Sequence, residues 1–137
     1  MKKNVLILCT GNSCRSIMAE ALINAKLGDC VEAYSSGVRA SGAVNPHAQA
    51  LLEAKGYWRD SYHSKVIETV LDKPFDLVVT VCDHAKETCP MFPKAVKTLH
   101  LGFEDPSEKA KEEYEKTLEL IEAELLPVVK RELCGGN

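Results

Sequence analysis

Residues 5–20 read Val5-Leu6-Ile7-Leu8-Cys9-Thr10-Gly11-Asn12-Ser13-Cys14-Arg15-Ser16-Ile17-Met18-Ala19-Glu20. The β-branched and leucine run over residues 4–8 predicts a short strand buried on both faces. A helix is expected to follow, capped by Ser13 or Ser16, running to about Lys26 and stopped by Gly28-Asp29. Between them lies a loop holding two cysteines, a glycine and an arginine. A loop that joins a buried strand to a helix N-terminus presents unpaired N–H groups and the positive end of the helix dipole.

The rest of the chain repeats this alternation. Residues 31–35 read as a second strand ended by Ser36-Gly37. Asn45-Pro46 reads as an N-cap and first helical proline, with the helix ending at Gly56. Ser64 is expected to cap a short helix to Leu71. Residues 75–82 form the strongest strand signal, and 96–101 a fourth. From Ser107, charges and leucines recur at helical spacing to Leu133, with Pro127 as an expected kink. Strands separated by helices imply right-handed crossovers and a parallel sheet, hence an α/β fold. Sheets of this kind bind ligands beyond the carboxyl ends of their strands. Cys9, Cys82 and Asp105 all follow predicted strands and are expected to gather at that edge.

The chain has 137 residues, 45% of them hydrophobic and 27% charged, which fits a single domain over 1–137. A net charge of −3 argues against broad nucleic-acid or anionic-membrane binding. The apolar stretch after Lys2-Lys3 is too short for a membrane span or a signal peptide, so a cytoplasmic location is the expectation, and a monomer is the default. The six cysteines are then catalytic, metal-binding or buried thiols rather than a disulfide framework. No C-x-x-C pair occurs, which weakens a zinc site.

The loop itself suggests chemistry. Gly11 and Asn12 tolerate the left-handed bends of an anion cradle. Arg15 adds a planar fork that matches two oxygens of a tetrahedral oxyanion. Cys9 lies in the same positive field, the setting in which a thiol acts as a thiolate nucleophile, and Ser16 is placed to donate to it. Thr10, Gly11, Asn12, Ser13, Cys14, Arg15 and Ser16 are therefore the candidate substrate-binding residues. Displacing an oxygen also needs a proton donor. Asp105, in the loop stiffened by Pro106, is the candidate, with Glu104 as a rival.

The C-x5-R pattern with a following serine, in this strand–loop–helix setting, resembles the low-molecular-weight protein tyrosine phosphatases. Within that family it is most similar to the thioredoxin-coupled arsenate reductases. Tyr34-Ser35-Ser36-Gly37, Asn45-Pro46-His47-Ala48, residues 76–82, Cys89-Pro90 and Asp105-Pro106 extend the similarity over most of the chain. The resemblance implies a four-stranded parallel sheet flanked by helices. It also implies Cys9 as nucleophile, Arg15 as oxyanion holder and Asp105 as acid.

Hydrolysis needs neither Cys82 nor Cys89. If residues 83–89 are helical, the α-carbons of Cys82 and Cys89 lie about 10 Å apart, from a rise of ~1.5 Å per residue. A disulfide spans roughly 4.4–6.8 Å, so pairing requires that segment to unwind. The resemblance implies this pairing in a cascade of arsenical resistance. Cys9 attacks arsenate, a Cys9–Cys82 disulfide forms as arsenite leaves, and a Cys82–Cys89 disulfide then passes to thioredoxin. No cofactor is bound in this scheme; reducing equivalents come from thioredoxin. Phosphate or sulfate can mimic arsenate, and weak phosphatase activity is expected on the side. The alternatives are a phosphotyrosine phosphatase using Cys9 alone, and a non-enzymatic redox or oxyanion sensor.

The similarity brings two further expectations. Asn12, Glu20 and Ser35 match positions that hold the nucleophile loop, with Ser35 bonding Asn12. In some relatives they enclose a potassium ion together with an acid, but Lys65 stands near that position here. No metal is therefore expected. Cys14, Cys30 and Cys134 receive no catalytic role, and Cys134 is read as part of a frayed tail.

Overall fold

A computed structural model of the chain describes residues 2–12, 14–37, 39–40, 42–82, 92–106 and 109–134. The strand predicted at the N-terminus is central. It extends over Lys3–Cys9 (β1) and pairs in parallel with Val31–Gly37 (β2) on one side and Leu77–Thr80 (β3) on the other. Thr98–His100 (β4) continues the sheet beyond β3, giving the order β2-β1-β3-β4. Helices Arg15–Leu27 (α1), Pro46–Ala54 (α2) and Lys111–Leu133 (α3) and a short 3₁₀ turn over Ile67–Val70 complete the architecture. The expected α/β fold, a four-stranded parallel sheet flanked by helices, is therefore what the chain adopts.

The uninterrupted apolar run of β1 has a simple cause. Val5, Ile7 and Cys9 face one apolar cluster, shared with Ile17 and Leu22 of α1, Leu52 of α2 and Ile121 and Leu125 of α3. Leu6 and Leu8 face a second, formed with Ile67, Val70, Phe75 and Val78. A strand covered on both faces has no polar side to show. Burying each such side chain contributes roughly 1.5–3 kcal/mol. In α3, buried Tyr114, Thr117, Leu118, Ile121, Leu125 and Val129 recur at helical spacing, and the helix runs through Pro127.

Polar clamps set the layers in register. Buried Asn24 of α1 accepts from the Ala33 amide at 2.8 Å, and donates to the Ala33 carbonyl at 3.2 Å and to the Tyr62 hydroxyl at 3.0 Å. These bonds satisfy backbone groups of the sheet's edge strand. Asn45 caps α2 as expected, accepting from the His47 and Ala48 amides, while its own amide donates to Tyr114 on α3 at 3.1 Å.

Several expectations are corrected. Ser16 does not cap α1: Cys14 is the N-cap, without a side-chain bond, and Ser16 lies inside the helix. The helix expected from Ser64 shrinks to the 3₁₀ turn, because the Ser64 hydroxyl donates instead to the Gly11 carbonyl at 3.3 Å. The last helix starts at Lys111. No helix among the described residues is long and apolar enough to cross a membrane.

Cys30 and Cys134 are neither unrelated nor idle. They form a disulfide with a Cα–Cα distance of 5.8 Å across a sequence separation of 104 residues. Cys30 ends the turn after α1 and Cys134 caps the C-terminus of α3, so the packing of the two helices with these ends side by side brings them together. Closing a loop of that length stabilises by up to ~4.7 kcal/mol in the chain-entropy account. Calorimetry on the oxidised protein should show Cys134→Ser melting several degrees below the wild type, with the gap closing when both are compared in excess dithiothreitol. Equal midpoints under oxidising conditions would count against this staple.

Candidate active site

β1 ends at Cys9 with β2 on one side and β3 on the other, so the loop that follows opens at the carboxyl edge of the sheet. Cys9 is buried, a free thiol, and paired in register with Gly37. The helix after the loop starts at Arg15 and has no acidic side chain in its first turn. No acidic side chain of that turn offsets its positive N-terminal field.

The loop keeps its shape through Asn12, which is buried and has φ 47°. Asparagine is one of the few residues that enter this left-handed region cheaply. Its amide donates to Ser16 Oγ at 2.8 Å, and its carbonyl oxygen accepts from the Lys65 amide at 2.8 Å. The Thr10 carbonyl accepts from the Arg39 amide at 3.0 Å. The expected Ser35–Asn12 bond is not made: Ser35 donates to Glu20 at 2.6 Å. Ser16 Oγ accepts from the Asn12 amide, the bond that the structure shows for it in place of the expected one to the Cys9 sulfur.

Arg15 joins the loop to the segment after β4. It is only 4% exposed; its Nη1 donates to the Phe103 carbonyl at 3.2 Å, and Nη2 lies 3.6 Å from Asp105 Oδ2. Asp105 is half exposed at the mouth of the site. Its rival Glu104 pairs with Lys109. Asp105 and Pro106 border a cavity of about 220 Å³ that buried Phe103 also lines. Cys14 is a poor nucleophile, since burial, reinforced by Asp105, pushes its thiol well above the usual range.

Cys82 is wholly buried just past β3. Leu8 pairs with Thr80, and the Val81 amide donates to the Leu8 carbonyl at 2.9 Å, so Cys82 lies one step beyond the level of Cys9. Its sulfur is disulfide-bonded, whereas Cys9 and Cys14 are free. Ser13 and Cys89, both predicted site residues, lie outside the described residues.

Gly37 is the site residue that reading the sequence missed. A Cβ there would sit 2.5 Å from the Thr10 carbonyl oxygen and 3.0 Å from both the Cys9 carbonyl oxygen and the Asn12 amide. Only glycine lets β2 approach the loop this closely. The signal was present as Ser35-Ser36-Gly37, but it reads as an ordinary strand end until the β1–β2 register is known.

The sequence profile of the low molecular weight phosphotyrosine protein phosphatase family matches residues 4–133. The chain belongs to this family. Arsenate reductase of Brevibacillus brevis is 40% identical over 124 residues, covering 90% of this chain and 92% of the relative. A crystal structure of arsenate reductase from Archaeoglobus fulgidus superposes with a TM-score of 0.80 at 31% identity, covering 91% of this chain and 98% of that one. A low molecular weight protein tyrosine phosphatase from T. tengcongensis gives 0.73 at 29% identity, covering 89% and 94%. The homology to arsenate reductases on this phosphatase fold is therefore plain.

The residues expected from the resemblance to surround a potassium ion, Asn12, Glu20 and Ser35, do not suit that ion here. Asn12 already accepts from an amide, and one Glu20 oxygen already accepts from Ser35. A lysine, Lys65, borders the same cavity of about 320 Å³ as Glu20. A cation there would share its cavity with an ammonium. Burial pushes the Glu20 carboxyl up to about 7, opposed by Lys65 and by the Ser35 bond. Burial likewise lowers Lys65, opposed by Glu20.

Two outcomes follow from this geometry. Gly37→Ala forces the loop off β2 and should cost ~1–3 kcal/mol of stability. Phosphate binding, measured calorimetrically, should weaken by about tenfold or more, as misplaced cradles do; unchanged binding would contradict the close-approach argument. Glu20 holds its proton in the folded state between its ordinary 4.5 and about 7. The stability this confers is complete below the lower value and lost as pH rises through the upper one. Urea titrations should thus show the wild type losing stability relative to Glu20→Gln across that window, with no further change above it.

Proposed function

We propose that the chain reduces arsenate to arsenite and is regenerated by thioredoxin. One observation carries this reading: a free cysteine in an oxyanion-type loop, and a disulfide-bonded Cys82 one step beyond it across the β1–β3 pair. A phosphatase would have no use for the second sulfur.

The Cys9 thiolate attacks arsenic(V), and the departing oxygen leaves as water with a proton from Asp105. Arg15 and the amides of residues 10–16 hold the remaining oxygens. The Cys82 thiolate then attacks the Cys9 sulfur. The sulfur–arsenic bond breaks, its electron pair passes to arsenic, and arsenite leaves a Cys9–Cys82 disulfide. Cys89 attacks Cys82, frees the Cys9 thiolate and forms Cys82–Cys89. A thioredoxin dithiol reduces that bond by exchange, supplying the two electrons. A free Cys9 beside an oxidised Cys82 is the state this sequence leaves before regeneration.

A phosphatase reading shares Cys9, Arg15 and Asp105. The cavity beside Asp105 is bordered by charged side chains and Leu120, and among the described residues it offers no exposed aromatic wall to stack a phosphotyrosine ring. Slow hydrolysis of small aryl phosphates is expected as a side activity.

Arsenate-dependent NADPH oxidation through thioredoxin and its reductase tests the proposal. Cys9→Ser, Cys82→Ser and Cys89→Ser should each abolish turnover. Aryl phosphate hydrolysis should require Cys9 and survive loss of Cys82. Full arsenate turnover without Cys89 would sink the cascade.

A further inference from the structure

We propose that Lys65 is a built-in cation that positions the Cys9 loop, clamping it through its backbone and bringing a positive charge to the cavity that holds Glu20, and so making a bound monovalent ion unnecessary. The inference rests on the Cys9 loop being the working site, and not on arsenate being its substrate.

Three observations carry it. First, the Lys65 backbone is held on both sides of the site. Its amide donates to Asn12 Oδ1 at 2.8 Å, and its carbonyl accepts from the Gly37 amide at 3.0 Å. Lys65 thus bridges the left-handed turn of the loop and the end of β2. Second, its side chain stays with the site: it borders the cavity containing Glu20, and its ammonium donates to the His63 carbonyl at 3.0 Å. Third, Glu20 is 4% exposed and is fixed by Ser35 on β2, two residues before Gly37. Burial favours the protonated form of Glu20, and Lys65 in the shared cavity is the foremost group that opposes it.

The physical logic is that of a buried carboxylate beneath an anion cradle. An uncompensated negative charge there would oppose both the Cys9 thiolate and an incoming oxyanion, and would cost desolvation energy. A dissociable ion can cancel that charge, but only after binding from solution. A tethered ammonium is always present, at an effective concentration that salt does not alter. Because the same residue's backbone carries the Asn12 bond, the charge and the loop clamp are linked in one residue. Lysine is suited to this, since its compact ammonium on a flexible stem donates to the His63 carbonyl while its side chain borders the cavity that holds Glu20.

The test uses the fully reduced chain and two readouts, thermal midpoint and the rate of Cys9 alkylation by iodoacetamide followed by peptide mass spectrometry. Neither involves arsenate, so failure of the proposed reaction would leave the result interpretable. Wild type, Lys65→Met, Lys65→Arg and Lys65→Glu are compared in potassium, sodium and tetramethylammonium chloride at equal ionic strength. The wild type should be indifferent to the cation. Lys65→Met should melt several degrees lower and alkylate about tenfold more slowly. Lys65→Arg should restore both readouts, which loss of packing alone would not predict. Lys65→Glu places a second carboxylate beside Glu20 and should acquire a potassium response that tetramethylammonium does not reproduce. Potassium raising the wild-type midpoint and alkylation rate would overturn the inference, a comparison that needs no variant to fold. So would Lys65→Met matching the wild type, or Lys65→Arg matching Lys65→Met.

Discussion

Asn12 turns the chain into a left-handed bend at the head of α1, and its one side-chain amide holds two separate parts of the protein. One bond reaches forward to Ser16 in the first turn of the helix. The other reaches the backbone of Lys65, more than fifty residues away. The amides between Cys9 and Arg15 can face an oxyanion only if this bend is kept. Almost every other polar contact in the region supports it. Gly37 allows β2 to lie against the loop, Arg39 and Ser64 bind its carbonyls, and Glu20 anchors Ser35 at the end of β2.

The sheet supplies the chemistry by placement. Its order sets β1 between β2 and β3, so the chain ends that follow these strands meet at one edge. Cys9 and Cys82 come from neighbouring strands, one step apart in register. Arg15 reaches from α1 to the Phe103 carbonyl and the Asp105 carboxylate, connecting the loop to the segment beyond β4. The opposite edge is closed by covalent means, where Cys30 and Cys134 join the ends of α1 and α3. Stability and reactivity are thus kept at opposite ends of the strands, an arrangement open α/β sheets allow because their ligand crevices lie at the carboxyl edge.

Much of this was legible in the chain because it depends on short-range pattern. The apolar run of β1, the Asn45-Pro46 start of α2 and the spacing of α3 each reflect a local rule of burial or capping. The cysteine and arginine of the loop follow the same logic, since both ends of the cradle lie in one segment. The misses share a cause. Ser16 and Ser64 looked like helix caps, but each found a partner in the loop that no local rule weighs. Cys134 read as part of a tail because its partner sits across the packing of α1 on α3. Ser35 was matched with Asn12, yet the buried oxygen nearest to it belongs to Glu20.

The sequence by itself determined the α/β alternation, the strand–loop–helix that carries Cys9 and Arg15, and the identity of the candidate acid and second sulfur. These are properties of neighbouring residues, fixed by backbone propensity, periodicity and side-chain chemistry. Only the tertiary structure decided that Gly37 must lack a side chain, that Cys30 finds Cys134, and that Lys65 shares a cavity with a buried carboxylate. Each of those depends on the distance between segments far apart in the chain. That distance is set by strand register and helix packing, which no single stretch of residues encodes.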